Sequence, residues 1–277
     1  MSEHEPGKQH AFRARRSREW LAALPLAAMV IGVAWIITAS GSANVDQQSA
    51  ATTARSGTVA AEVAPAPAEL EPAVAAPSEP VSETATLTGI ASTVDPDWLD
   101  STAESTGIPR RMLAAYAGAA LALREEQPAC ELGWSTLAGI GKTESGHATL
   151  GGTTALPDGS TSQPILGPQL DGSAFDAISD TDHGRWDGDE VWDRAVGPMQ
   201  FIPSTWERWG ADGNDDGVSD PNQVDDAALA TARYLCHSGS LSTGTGWHAA
   251  IYSYNHSESY VTAVTMAANA YGRAARS

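Results

Sequence analysis

Between Trp35 and Trp98 the chain carries no aromatic residue, and this gap fixes where a folded core can lie. Residues 41–91 are rich in Ala, Pro, Thr, Ser and Glu, with prolines at 65, 67, 72, 77 and 80. Such a composition cannot bury enough apolar surface to offset its chain entropy. It reads as a disordered, proline-stiffened tether over residues 40–95. The folded domain is therefore expected in residues 96–277, and everything before Trp35 needs a separate reading.

That earlier part reads as a membrane segment. Trp20 to Ala39 is free of charge and mainly apolar, and some twenty residues at about 1.5 Å each cover a hydrocarbon core of about 30 Å. Lys8, Arg13, Arg15, Arg16 and Arg18 all precede it. The positive-inside rule then makes residues 1–19 a cytoplasmic tail, residues 20–39 a single-pass anchor in the cell membrane, and the rest extracytoplasmic. Two other readings stay open: a cleaved signal sequence ending at Gly41-Ser42-Ala43, which would give a secreted protein, and a buried soluble helix. Sixteen Lys and Arg against thirty-four Asp and Glu give a net charge of -18. This excludes nucleic acid as a partner, because phosphate binding draws on cationic side chains. Cys130 and Cys236 both fall in the exported part, where oxidising conditions favour a disulfide; two free buried thiols are the alternative.

From Trp98 onward apolar residues recur at spacings of three and four, which predicts an all-α domain. Helices are expected from Pro109 to about Gln127, Leu132 to Glu144, Pro203 to Gly210, Asp225 to His237, Trp247 to Tyr254 and Ser257 to Tyr271. Between Gly146 and Arg194 a Gly-, Asp-, Ser- and Pro-rich stretch shows no period. An insertion of that length is uncommon in a compact domain unless it has a task.

The second of these helices carries chemistry. Trp134, Leu137, Gly141 and Glu144 are spaced by three, four and three, so a carboxyl group ends the apolar stripe that faces the core. Desolvation there raises its pKa, and such a glutamate holds a proton near neutral pH and can serve as a general acid. A solvated Glu at a frayed helix end is the alternative. Gly139, Gly141 and Gly146 strip bulk from the same face, as a close approach by another chain segment or a ligand requires.

Four segments then resemble the lytic murein transglycosylases: Gly139-Ile140-Gly141-Lys142-Thr143-Glu144-Ser145-Gly146-His147, Ala195 to Trp206, Asp225 to Leu235, and Tyr252-Ser253-Tyr254-Asn255. The likeness is greatest to the membrane-bound lytic transglycosylase B group, in a form found in actinobacteria, and spans roughly residues 105–272. It implies a lysozyme-like helical domain that cleaves the bond between N-acetylmuramic acid and N-acetylglucosamine in peptidoglycan. By resemblance Glu144 is the catalytic residue, acting first as acid and then as base, so that the muramoyl C6 hydroxyl closes a 1,6-anhydro ring. Gln200, in a Gly-x-x-Gln motif, and the Tyr254-Asn255 pair would line the substrate site, the Tyr near the glutamate and the Asn on the sugar; core packing is the other reading of Tyr254. A cap on its own loop is the other reading of Gln200. Trp186, Trp192 and Trp206 are read as core before sugar platforms. The hydroxyl residue that orients the glutamate in some relatives is missing: Val191-Trp192-Asp193-Arg194 stand there instead.

The acidic stretch from Asp212 has its own reading. Asp212, Asn214, Asp216 and Gly217 fit positions 1, 3, 5 and 6 of an EF-hand loop, but Gln223 at position 12 cannot supply the bidentate carboxylate. Transglycosylase B relatives take that ligand three residues later, which here is Asp226. The resemblance thus implies a structural Ca²⁺ held by Asp212, Asn214, Asp216, the Val218 carbonyl and Asp226, against a plain Asn/Asp/Gly turn without metal. No cofactor is expected for the reaction itself. Expected partners are peptidoglycan glycan strands, the membrane through the N-terminal segment, and cell-wall assembly or division proteins as recruiters. Rival functions are a hydrolytic muramidase that draws a second carboxylate from Asp180, Asp182, Asp187 or Asp189, a non-catalytic glycan-binding module, and a calcium-binding scaffold.

Overall fold

The computed structural model describes residues 86–173 and 175–277. The basic tail, the apolar segment at 20–39 and nearly all of the tether lie outside them. Among the described residues no helix is long and apolar enough to cross a membrane.

Among the described residues seven α-helices form the body: α1 (Pro96–Thr106), α2 (Arg110–Glu126), α3 (Trp134–Ser145), α4 (Pro203–Trp209), α5 (Val224–Cys236), α6 (Gly244–Tyr254) and α7 (Glu258–Ala274). Their ends follow from local chemistry. Asp95 caps α1 by accepting from the Trp98 amide at 2.8 Å, with Pro96 in the first turn and Gly107 left-handed at the end. Gln223, Thr243 and Ser257 cap α5, α6 and α7 in the same way. Six of the seven match the expected helices within a few residues. The first, α1, was not anticipated.

At the centre runs α2, whose Met112, Leu113, Tyr116 and Leu123 are fully buried. It packs along α5, while α3 packs along α7. The packed body also begins upstream of residue 96. Gly89–Thr93 form a 3₁₀ turn with Ala91 in the core, and the Ile90 amide donates to the Gly213 carbonyl at 2.9 Å. The last ten residues assigned to the tether are thus part of the fold, because Leu87, Ile90 and Ala91 supply the apolar contacts that the rest of the tether lacks.

Cys130 and Cys236 are joined, tying the chain just past α2 to the end of α5 across 106 residues. In the chain-entropy picture a loop of that size stabilises the fold by about 4.7 kcal/mol. An exclusively helical domain is corrected at one place. Inside the insertion β1 (Leu166–Gln169) pairs antiparallel with β2 (Arg194–Val196), Leu166 opposite Val196 and Gln169 opposite Arg194. These strands are too short for an alternating pattern to show in the sequence. Their effect is positional, since β2 leads directly into the loop that bears Gln200.

Candidate active site

Glu144 sits in the last turn of α3 with 7% of its surface exposed. Burial pushes its carboxyl up to about 8, and a hydrogen bond from Tyr260 works against that rise. The Tyr260 hydroxyl donates to Glu144 Oε1 at 2.6 Å. Tyr260 lies in the first turn of α7 and is itself buried; desolvation, with the glutamate charge next, holds its own pKa well above the usual tyrosine value. Sequence reasoning missed Tyr260. It gives Glu144 the hydroxyl partner that the 191–194 stretch does not offer, and it does so from 116 residues away, so no local motif could point to it.

The glycines of α3 serve packing. A Cβ on Gly139 would lie 2.9 Å from the Val264 carbonyl oxygen of α7, and one on Gly141 would lie 1.9 Å from the Tyr116 hydroxyl of α2. Neighbouring helices, and no ligand, occupy the space those residues leave open. Close contact with α7 is what brings Tyr260 within reach of Glu144.

The Gly197–Gln200 loop is tied to the same helix end. Ser145 donates from its hydroxyl to the Pro198 carbonyl at 2.7 Å and accepts from the Ala148 amide at 2.8 Å. Gln200 is left-handed at φ 53° and buried. Its side-chain amide donates to Gly197 O at 2.9 Å and Ile165 O at 3.3 Å, so it caps its own loop and pins that loop to the insertion. Tyr254 is buried with its hydroxyl donating to Met199 O at 2.7 Å, and its ring stacks parallel to Tyr260 at 6.5 Å. It therefore braces Tyr260 and the loop, and makes no hydrogen bond to Glu144. Asn255 follows as the residue ending α6; it is 2% exposed, and its Nδ2 has no hydrogen-bond partner among the described residues.

The aspartates of the insertion serve its own turns. Asp180, Asp182 and Asp193 bring carboxylate oxygens within 4.8 Å of one another. Asp193 accepts from the Thr181 amide and hydroxyl, Asp187 from the Arg194 amide at 2.7 Å, and Asp189 from the Val191 and Trp192 amides. None of them is among the groups that set the Glu144 pKa. Trp206 is core, edge-on to Phe201 at 5.2 Å. Half-buried Trp186 lines a groove of about 700 Å³ between the insertion and α4, with Arg185 over its ring.

The acidic loop adopts turns of EF-hand type, for Asp212 accepts from the Gly217 amide at 2.8 Å and Asp216 from the Val218 amide at 2.8 Å. Its carboxylates are not gathered for an ion. Asp226 spends its two oxygens on the Gly213 and Asp220 amides at 2.6 and 2.8 Å, and Asn214 turns its Nδ2 toward Asp216. Burial lifts Asp226 to about 7, opposed by those amides. Among the described residues the group of three carboxylates close enough to share an ion is the 180/182/193 set, and Asp212, Asp216 and Asp226 are not one. Backbone amides of the loop are thus the partners of the Asp212, Asp216 and Asp226 carboxylates.

Residues 174–249 match the family model of the transglycosylase SLT domain. The matched stretch holds Gln200, α4, α5 and the acidic loop, and stops short of Glu144 on one side and Tyr254, Asn255 and Tyr260 on the other. No curated protein and no solved structure matches the chain. The match supports a transglycosylase acting on peptidoglycan, and the mostly helical body agrees with it.

Proposed function

We propose that this chain is a peptidoglycan lytic transglycosylase of the membrane-bound B type, with Glu144 as its only catalytic carboxyl group. The observation that carries this reading is a buried glutamate, lifted to about 8 and paired with the tyrosine hydroxyl of Tyr260. At pH 7 it is protonated. With Oε1 accepting from Tyr260, the acid proton resides on Oε2 and passes to the glycosidic oxygen, which leaves as the C4 hydroxyl of N-acetylglucosamine. Positive charge then develops at C1 of the muramoyl sugar. The new carboxylate is steadied by the Tyr260 bond, which strengthens once its acceptor is charged. As the muramoyl O6 attacks C1, its proton returns to Glu144 and the 1,6-anhydro ring closes. Such an internal attack needs no activated water, and ordinary glycosidases use their second carboxylate for water or for a covalent intermediate.

The remaining residues take supporting parts. The unpaired Asn255 amide is a buried donor suited to a sugar oxygen, since an orphaned donor costs about 1–3 kcal/mol until something accepts from it. Gln200 shapes the opposing loop and keeps Oε1 as an acceptor for substrate. The segment at 20–39 tethers the enzyme to the outer face of the cell membrane, with the tether setting its reach to the wall and cell-wall assembly proteins as recruiters.

Mass spectrometry of digested sacculi tests the proposal. Anhydro-muropeptides are expected, and Glu144→Gln should release none while still binding sacculi. Reducing-end products would point to hydrolysis, and release by Glu144→Gln at the parent rate would remove Glu144 from the reaction.

A further inference from the structure

Immediately after Glu144 and Ser145 come three residues in the left-handed region: Gly146 at φ 60°, His147 at 62° and Ala148 at 60°. Glycine enters that region freely, but the Cβ of His147 and of Ala148 crowds the following carbonyl oxygen. Non-glycine residues persist there only where their surroundings hold them.

His147 supplies that hold. Its ring is buried, with Nδ1 3.2 Å from the Tyr116 hydroxyl of α2 and Nε2 2.8 Å from the Tyr271 hydroxyl of α7. Burial, followed by the nearby Lys142 charge, lowers its pKa to about 4. The ring is therefore neutral near pH 7, with one nitrogen donating and the other accepting, and a hydroxyl partner can satisfy either role. Both partners bear on the catalytic end of α3. The Tyr116 hydroxyl fills the space left at Gly141, one turn before Glu144. Tyr271 and Tyr260 are eleven residues apart on α7, about three turns, and so lie on nearly the same face. That face grips the end of α3 at two points, Tyr260 on Glu144 and Tyr271 on His147.

We infer that His147 is a positioning residue: bonded at both ring nitrogens, it locks the left-handed turn that ends α3 and so keeps Glu144 seated against Tyr260. This rests on the reading of Glu144 as the acid. A neutral ring with two hydroxyl partners is a rigid link between α2, the turn and α7.

The test measures kcat and KM on glycan strands across the pH range for the full chain and for His147→Phe, His147→Gln, Tyr271→Phe and Glu144→Gln. His147→Phe should lower kcat about a hundredfold, the effect of a displacement of about 1 Å at the reacting group, with KM changed less than about twofold. Its alkaline limb should move from about 8 toward the ordinary carboxylate range as Glu144 reaches water. His147→Gln, which retains a donor and an acceptor, should recover most of the loss. If His147→Phe does not fold, Tyr271→Phe removes one hydroxyl and should show the same acid-ward limb with a drop of about tenfold. A histidine there for stability alone would lower the melting temperature and leave kcat and the limb unmoved; that result in His147→Phe, or in Tyr271→Phe where the former cannot be purified folded, overturns the inference. Turnover surviving in Glu144→Gln would instead reject the reading of the acid itself, whatever the His147 variants do.

Discussion

A glutamate that stays protonated to about 8 inside the fold, against an ordinary 4.5, must weaken the fold as pH rises. Between those values the unfolded chain has released the proton and the folded chain has not. The folded state therefore binds more protons, and each rise in pH favours unfolding. Stability is complete below about 4.5 and is lost progressively up to about 8, at about 1.36 kcal/mol per pH unit, or up to about 5 kcal/mol in all. Glu144→Gln keeps the shape and an oxygen acceptor for Tyr260 but cannot ionise, so it should be spared this loss. At 2–4 °C per kcal/mol for a domain of this size, the variant should melt about 10–20 °C above the parent at pH 8 and close to it at pH 4.5. Asp226, also lifted by burial, to about 7, titrates in both proteins and cancels in the comparison. Calorimetry of the two proteins in parallel over this range supplies the measurement. A melting difference that does not widen with pH would mean that Glu144 is not held protonated by burial, and the general-acid argument would go with it.

Tyr260→Phe removes a hydrogen bond whose acceptor becomes charged as Glu144 gives up its proton, worth about 1.5–3 kcal/mol in that charged state; kcat should fall about 10- to 150-fold, and the alkaline limb should move upward because the bond lowers the Glu144 pKa, as a kinetic pH profile would show. Reducing Cys130–Cys236, or replacing both cysteines by serine, should cost about 4–5 kcal/mol and lower the melting temperature by about 10–20 °C in scanning calorimetry. Calcium added to chelator-treated protein should leave the melting temperature unchanged within about 1 °C, since mass action stabilises only where the ion binds the folded state; a dose-dependent rise would show that the 212–226 loop rearranges into a cage.

Much of this architecture could be read along the chain. The three-four spacing placed six helices, and the apolar stripe that Glu144 closes placed it at a buried helix end. Helix α1 was missed although Asp95-Pro96 is a strong start signal, because the tether was extended up to Asp95 and so took in the cap. What escaped was non-local. Tyr260 meets Glu144 only because Gly139 and Gly141 let α7 and Tyr116 come close, and a spacing rule along one helix does not encode its neighbour. Gln200 was legible as a special residue, whereas its left-handed backbone and its bonds to Gly197 and Ile165 belong to the β1–β2 pairing. The EF-hand spacing from Asp212 was legible, whereas the bonds from the Gly213 and Asp220 amides to Asp226 could not be inferred from the order of residues.

The sulfur bridge closes a ring of chain that contains α3, the whole insertion and the Gln200 loop. A protease that clips an exposed bend of the insertion would therefore open the ring without freeing either half. A single nick there leaves one covalent molecule, with Glu144 and the Gln200 loop still fastened to the same frame.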